Sequence, residues 1–305
     1  MKNKPEQYNQ KSPVKIGRIS YVNVAPVYYG LDKGLKPAWI NMVTAPPSVL
    51  NNMMANREID LSPISSVAYA RHQKDWLLLP DLSIACYGDV MSVILVSRYP
   101  FDKLNNKKVI LIDESATAVE LLKLLFIIKK VKPIFGINAI GHPRDIPKNA
   151  DAALIIGDTA LKEKWSDHYD YIYDTGNMWM ELTGLPFVFA VWAVQKSFAH
   201  KRPDTLSAII DLFHISKKEG DQHLKQIAAS ASSKLGISLD VSEKYYDRLC
   251  CDLGPMQIKG LESFFARLYK EKILYEKISL SFVDEFVKSR IHKGSGFRVQ
   301  GSGLP

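Results

Sequence analysis

The sequence contains little cysteine. Its three cysteines are Cys86, Cys250 and Cys251, and they form no CxxC pair. A disulfide between the adjacent Cys250 and Cys251 would be strained, and an odd, sparse count is typical of a reducing compartment. The sequence therefore argues against a disulfide framework, a cysteine zinc site and a thioredoxin-type redox site.

Long hydrophobic runs are also missing. The longest, at 185–194, is far shorter than the ~20 residues that a membrane-spanning helix needs, and we expect it to form a buried strand. Residues 1–13 are polar and have no apolar stretch after their lysines, so they do not resemble a secretory signal. We therefore expect a cytoplasmic protein with no membrane contact.

The common catalytic motifs are missing as well. The sequence has no GxSxG, no GxxxxGK[ST], no HExxH and no GxGxxG after a strand. None of the seven histidines stands at metal-ligand spacing from another. These absences give no indication of a bound metal, a nucleotide cofactor or a serine-hydrolase triad.

The composition is that of an ordinary globular protein. The chain has 305 residues, of which 47% are hydrophobic and 24% are charged, which is enough for a full core in one large or two smaller domains. The net charge of +8 is modest, and basic residues are not interleaved with aromatic ones as on a nucleic-acid surface. We expect a small anionic ligand and no nucleic acid. The oligomeric state stays open.

The order of predicted elements indicates an α/β fold. Strands alternate with helices up to Val194, and helices dominate from Pro203 onward. In the N-terminal part, a helix is predicted to follow Pro46-Pro47, with Ser48 as its candidate N-cap. We expect two lobes with mixed, mostly parallel sheets and a ligand cleft between them.

The predicted lobes have the following boundaries. The first lobe comprises residues 14–97 and 191–290, including the helical C-terminal part, and the second comprises residues 98–190. Residues 1–13 and 293–305 are expected to be flexible termini, because the C-terminal segment is rich in Gly and Ser.

Polar turns follow several predicted strands and precede helices. They lie at 20–23, 62–66, 115–117 and 157–159. Free backbone N–H groups and Ser, Thr or Asn side chains at such turns can hold carboxylates, although each turn could equally serve only as a helix cap. Asp60, Asp113 and Asp158 also lie near strand ends, where each could be a general base or a backbone hydrogen-bond acceptor.

These segments together resemble a known family. The stretches RISYVNVAPVYYGL, IDLSPISSVAYA, MSVILVSRYPFDKL, DESATAVELLKLLF, ADAALIIGDTAL and ELTGLPFVFAVWA occur in this order. In this combination they closely resemble the chorismate dehydratase family of the futalosine route to menaquinone. The resemblance is strong over residues 15–196 and weaker through the helical part.

The resemblance implies a fold, a reaction and an absence of cofactors. The fold would be that of type 2 periplasmic binding proteins, used as an enzyme. The reaction would be the hydro-lyase dehydration of chorismate, a dicarboxylate, to 3-[(1-carboxyvinyl)oxy]benzoate without metal or cofactor. We hypothesise that the side-chain carboxylate of the substrate takes the proton, since the matched residue Asn23 carries an amide that cannot act as a base at neutral pH.

The resemblance also implies site residues. Asn23 would be catalytic, and the substrate-binding candidates are Tyr21, Ser65, Ser66, Ser92, Ser115, Ala116, Thr117, Asp158 and Thr183. Two alternatives stay open. One is 1,4-dihydroxy-6-naphthoate synthase of the same pathway, which uses a catalytic histidine, and the other is a non-catalytic protein that binds a small anion.

Overall fold

The computed structural model describes residues 13–283. Its strands are β1 Val14–Ile19, β2 Ile40–Ala45, β3 Leu61–Ser65, β4 Trp76–Cys86, β5 Val93–Ser97, β6 Lys108–Leu111, β7 Ile134–Ile137, β8 Ala152–Ile156, β9 Tyr171–Asp174, β10 Phe187–Gln195 and β11 Leu249–Cys250. Its helices are α1 Ala25–Gly30, α2 Pro47–Ala55, α3 Ser66–Arg71, α4 Ala116–Ile128, α5 Gly157–Lys162, α6 Thr175–Thr183, α7 Lys196–Lys201, α8 Pro203–Gln222, α9 Leu224–Leu235, α10 Leu239–Arg248 and α11 Pro255–Lys270. The expected termini 1–13 and 293–305 lie almost entirely outside the described residues.

The first lobe is built on a six-stranded mixed sheet. Its strand order is β11-β4-β10-β3-β1-β2. β1 pairs in parallel with β2 and β3, whereas β10 runs antiparallel between β3 and β4. Every residue of β10 is buried, which confirms that the longest apolar run forms a core strand.

The second lobe is built on a five-stranded mixed sheet of order β7-β6-β8-β5-β9. Strand β6 pairs in parallel with β7 and β8, and β5 pairs antiparallel with β8 and β9. The predicted α/β fold with two mixed sheets is confirmed. Antiparallel pairs are more frequent than the mostly parallel sheets that we expected. Strands β4 and β10 in the first sheet and β5 in the second are antiparallel to their neighbours.

The chain passes between the sheets twice. The first passage lies between β4 and β5 and the second between α6 and β10. Val93–Ser97 therefore belongs to the second sheet, and all of Phe187–Gln195 belongs to the first. We accordingly propose lobe boundaries just before these two strands, in place of 97/98 and 190/191.

Local signals explain several helix starts. Pro26 occupies the first turn of α1, where its missing N–H costs no hydrogen bond. Helix α2 likewise begins at Pro47, so Ser48 lies inside the helix and the prediction that it is the N-cap was wrong. Ser115 does cap α4, since its side chain accepts a hydrogen bond from the Ala118 N–H.

The C-terminal helices pack against the first lobe and reach the second. Helix α8 packs on α1, and α9 and α10 form an apolar cluster with Val22 of the first lobe and Leu161 of the second. This cluster places α10 beside both lobes. Within residues 13–283, none of the helices is both long and apolar enough to span a membrane.

Candidate active site

A cleft lies where the two lobes meet. Its lining comes from the strand ends and following turns of both sheets, and comprises Ile19, Tyr21, Asn23, Pro47, Ser65, Ile84, Val90, Ser92, Val93, Ser115, Ile156, Gly157, Phe189 and Ala190. The cleft thus brings together the predicted residues Tyr21, Asn23, Ser65, Ser92 and Ser115. Its cavity has a volume of about 50 Å³.

Asn23 is set into the cleft by a single 3-10 turn between β1 and α1, Val22–Val24. Its Oδ1 atom is buried and has no hydrogen-bond partner among residues 13–283. A buried carbonyl oxygen without a partner costs about 1–3 kcal/mol of folding free energy. Because such a cost is typical of groups held for a ligand, Asn23 is a candidate ligand-contacting residue.

Ser65 ends β3 and is held by Asn51 of α2. The Asn51 side chain accepts from the Ser65 backbone N–H at 3.1 Å and donates to the Ser65 hydroxyl oxygen at 3.1 Å. Since the hydroxyl oxygen already accepts this bond, the Ser65 proton can be donated into the cleft. Asn51 was not predicted from the sequence, because it acts across a helix–strand contact.

Ser92 stands in the passage between the lobes and is fixed from two sides. Its carbonyl accepts from the Gly157 N–H at 2.8 Å, and its hydroxyl oxygen accepts from the Tyr245 hydroxyl at 3.3 Å. Burial raises the pKa of Tyr245, so this phenol stays a protonated donor. The hydroxyl proton of Ser92, like that of Ser65, can therefore be donated to a group in the cleft.

The passage is itself anchored by Asp174 at the start of α6. Asp174 Oδ2 accepts from the backbone N–H groups of Val90 at 3.0 Å and Met91 at 2.6 Å, and its Oδ1 caps α6. Met91 has a φ of 60°, a left-handed conformation that is strained for a side chain of this size. Asp174 therefore holds in place the strained segment that presents Ser92.

Tyr21 crosses from the first lobe to the second. Its hydroxyl donates to the Glu114 carboxylate, and its ring lies against Gly157, where a Cβ atom would come within 2.8 Å of the ring. Burial and the Glu114 carboxylate raise the pKa of Tyr21, so it cannot act as a base near neutral pH. Tyr21 thus forms a wall of the cleft.

Further hydrogen bonds hold the lobes together around the cleft. Asp158 Oδ1 accepts from the Val22 N–H at 3.0 Å, and Thr117 Oγ1 accepts from the Val67 N–H at 3.1 Å. Arg71 pairs with the nearly buried Glu120 at 3.0 Å. These bonds belong to a closed arrangement of the lobes.

Several predicted binding residues do not line the cleft. Asp158 and Thr117 make the closing bonds just described. Ser66 is buried and donates to the Val188 carbonyl. Ala116 lines a separate groove, and Thr183 hydrogen-bonds within the end of α6. These residues support the walls in the closed arrangement.

The cleft lining offers hydrogen-bond donors and apolar walls but no charged side chain. Among the residues described, its only titratable group is Tyr21. Asp60, Asp113 and Asp158, the candidate bases from the sequence, are all missing from the lining. The same part of the chain holds no group of three His, Cys, Asp or Glu side chains placed to bind a metal.

Two lobes closing over a polar cleft define the periplasmic-binding-protein fold. The structure of the periplasmic aliphatic sulphonate-binding protein SsuA from Escherichia coli is similar, with a TM-score of 0.62 and 14% identity over 97% of this chain and 96% of that one. A protein from Archaeoglobus fulgidus gives a TM-score of 0.68 at 16% identity, covering 87% of this chain and all 100% of that one. At such identities the likeness shows the fold alone.

Sequence comparison is more specific. A family model described as menaquinone biosynthesis matches residues 14–270, so the chain belongs to this menaquinone-biosynthesis family. It is 30% identical to chorismate dehydratase of Thermus thermophilus over 83% of this chain and 94% of that protein. It is 33% identical to chorismate dehydratase of Campylobacter jejuni over 61% of this chain and 70% of that protein. The family resemblance inferred from the motifs is confirmed.

Proposed function

We propose that the protein dehydrates chorismate to 3-[(1-carboxyvinyl)oxy]benzoate in the cleft between its lobes, as an early enzyme of menaquinone biosynthesis. The family membership supports the pathway, and the names of the relatives support the substrate. The observation that carries the proposal is the buried Oδ1 of Asn23, which has no hydrogen-bond partner among residues 13–283 and lies beside the serines of the cleft.

The chemistry proceeds by loss of a ring hydrogen and of the neighbouring hydroxyl. A base removes the proton from the ring carbon that bears the enol ether, and the electron pair is delocalised toward the ring carboxylate. The adjacent C–O bond then breaks, the electron pair completes the aromatic ring, and the hydroxide leaves with the abstracted proton as water. Aromatisation drives the reaction, and no external oxidant or reductant is required.

The hydroxyl groups of the cleft stabilise the intermediate. Ser65 and Ser92 accept hydrogen bonds from Asn51 and Tyr245, so both can donate their own protons. Donors directed at the ring carboxylate stabilise the charge that develops there after proton removal. Asn23 contacts the substrate side chain or the leaving hydroxyl, satisfying its otherwise orphaned oxygen.

The base is supplied by the substrate in this proposal. The lining contains no carboxylate, histidine or lysine among residues 13–283, and the raised pKa of Tyr21 excludes its phenolate near neutral pH. The enolpyruvyl carboxylate of chorismate can reach the ring hydrogen through a six-membered arrangement. The enzyme therefore needs to orient that carboxylate rather than to provide one.

Substrate entry requires the lobes to separate. The cavity of about 50 Å³ is smaller than the ~150 Å³ that accommodates a benzene molecule. Opening would break the closing bonds made by Asp158, Thr117 and Glu120. Closure over the substrate then excludes water and strengthens each hydrogen bond to the developing charge.

Histidine chemistry of the naphthoate-synthase kind has less support. His72 stacks on Trp76 and lines a different groove, and His142 lies near Glu163 on the surface. No histidine of the described residues lines the cleft. A non-catalytic binding protein would share the fold, and only an assay separates it from an enzyme.

The proposal is tested by incubating the purified full chain with chorismate and following product mass. We expect loss of one water per substrate molecule and an aromatic ultraviolet spectrum. Tight binding of chorismate with no change in mass would instead establish a binding protein and contradict the proposal.

The substrate-supplied base is tested with a chorismate analogue whose enolpyruvyl carboxylate is replaced by a primary amide. We expect the amide to bind with a reduced affinity and to undergo no dehydration above the uncatalysed rate. Dehydration of the amide at a rate close to that of chorismate would show that a protein group is the base. The ring-carboxylate amide serves as the control for loss of one negative charge.

A further inference from the structure

A second groove lies on the other side of Tyr21 from the cleft. It has a volume of about 420 Å³, within the range of small-molecule sites, and is formed by the first turn and α1 on one side and by α9 on the other. Its lining comprises Arg18, Ile19, Ser20, Tyr21, Val22, Ala25, Tyr29, Asp32, Lys33, Thr44, Gln226, Ile227, Ser230, Ala231, Lys234 and Tyr246. We call it the lysine groove. Ile19 and Tyr21 line both this groove and the cleft.

The charge in the lysine groove is positive. Its one carboxylate, Asp32, forms a two-pronged ion pair with Arg18. Lys33 and Lys234 remain, and neither has a carboxylate oxygen within 4.0 Å in residues 13–283. The two lysines come from opposite walls, so the groove presents two cations without a close ion pair, although Lys234 still interacts electrostatically with Asp158.

The aromatic walls of the groove are already fixed. The Tyr29 hydroxyl donates to Gln226 at 2.7 Å, the Tyr246 hydroxyl donates to the Val22 carbonyl at 2.9 Å, and the Tyr21 hydroxyl is held by Glu114. Because these polar ends have partners, little conformational freedom of the rings remains to be lost on binding. Tyr29 is also stacked on His223 and has Lys33 over its ring, and Tyr246 is buried. The groove is therefore preorganised, and Tyr21 and Tyr29, which are partly exposed, supply its accessible aromatic surface.

We propose that the lysine groove is a second binding site, which takes a small aromatic carboxylate. The carboxylate would interact with Lys33 and Lys234, and the ring would lie among the tyrosines. Lys234 Nζ is 3.3 Å from the Ser20 carbonyl, at the start of the turn that carries Asn23. A ligand at this position would contact the same turn and the same Tyr21 wall as the cleft.

The test uses 4-fluorobenzoate as probe, with binding followed by fluorine NMR. The protein variants are Lys33→Gln combined with Lys234→Gln, and Asn23→Ala, which alters the cleft but lies outside the groove lining. The matched charge control combines Lys103→Gln with Lys270→Gln, which removes two exposed positive charges elsewhere. The neutral 4-fluorobenzamide controls for ring binding without a carboxylate.

We expect the Lys33 and Lys234 double variant to bind the probe about tenfold more weakly, as for the loss of two partly solvated charge contacts, and the benzamide to bind weakly as well. Asn23→Ala and the control pair should bind as the wild type does. Loss of binding in Asn23→Ala would place the probe in the cleft, and unchanged binding in the groove variant would also overturn the proposal. Turnover of chorismate is not the readout, so the result is independent of the proposed dehydration.

Discussion

At the scale of single residues, the candidate site depends on how hydroxyl protons are directed. Ser65 and Ser92 have small, flexible side chains that could donate in several directions. Asn51 and Tyr245 each donate to one of these hydroxyl oxygens and so leave the serine proton for the cleft. Residues outside the lining therefore set the polarity of the site.

The role of Tyr245 is tested by Tyr245→Phe, which keeps the buried ring and removes the donor to Ser92. We expect KM for chorismate to rise about fivefold with a smaller effect on kcat, since one hydrogen bond contributes about 1 kcal/mol. Tyr69→Phe is the control, because it likewise removes the hydroxyl of a buried tyrosine, one that donates to the Ser279 carbonyl and accepts from the Ser281 N–H rather than bonding to Ser92. Equal KM values for the wild type and Tyr245→Phe, with only a loss of stability, would show a purely structural role.

Asp158 gives the closed arrangement a dependence on pH. Burial raises the pKa of its carboxyl group, although the Val22 N–H and Lys234 partly oppose this shift. Because the folded-state pKa is raised, the ionised carboxylate lowers stability at pH values above it, and the cost disappears as the pH falls below the ordinary value for Asp.

Asp158→Asn should remove this dependence while leaving an acceptor for Val22. We expect the stability of the variant relative to the wild type to increase as pH rises from about 4 to about 8, measured by urea unfolding at several pH values. A difference that stays constant, or that decreases with rising pH, would contradict the assignment.

At the scale of elements, the cleft is made by turns that follow strands. The turn after β1 carries Tyr21 and Asn23, the end of β3 carries Ser65, and the start of α4 is capped by Ser115. Helix α5 begins at Gly157, whose φ of 62° lies in the left-handed region. Polar groups thus lie just beyond the strand ends, which is where other α/β proteins bind their ligands.

Gly157→Ala tests whether the Tyr21 wall depends on close contact with α5. The new Cβ would lie 2.8 Å from the Tyr21 ring, so the ring must move and the cleft must change shape. We expect a loss of about 1–2 kcal/mol in unfolding free energy and a severalfold rise in KM. Gly236→Ala is the matched control. Gly236 also has a left-handed φ, of 70°, but a Cβ atom added there would meet no neighbouring atom within 4 Å. A similar change in KM in both variants would contradict the contact.

The sequence predicted much of this element order but not its long-range support. Strand and helix patterns, together with polar turns, were sufficient for the fold class and for placing Asn23, Ser65 and Ser115 at strand ends, whereas Ser92 was indicated only by the family resemblance. Asn51, Tyr245 and Asp174 were missed, because each acts on a segment distant along the chain or lies in an ordinary helix or strand pattern. Ser66, Thr117 and Thr183 carry the same kind of hydroxyl group as the cleft serines, so the sequence does not distinguish them. Only the tertiary structure shows that their hydroxyls bond to backbone groups.

At the scale of the whole molecule, two lobes and the α9–α10 pair work as one unit around the cleft. In helix α10, the Tyr245 hydroxyl donates to Ser92 and the Tyr246 hydroxyl donates to the Val22 carbonyl. Arg248 of the same helix forms an ion pair at 2.9 Å with Asp89, in the passage between the lobes. The C-terminal helices thus contact both the first turn and the passage. A fold shared with the sulphonate-binding protein SsuA here surrounds a cleft that we propose is catalytic.

The central claim is that Asn23 is kept for chemistry at the expense of stability. The direct measurement compares the wild type with Asn23→Ala in chorismate turnover, followed by product mass, and in thermal unfolding without substrate. We expect turnover to fall by about 100-fold or more, while the unfolding temperature stays equal or rises, because a buried oxygen without a partner is removed. Full turnover in Asn23→Ala, or a loss of activity explained by an equal loss of folded protein, would contradict the account.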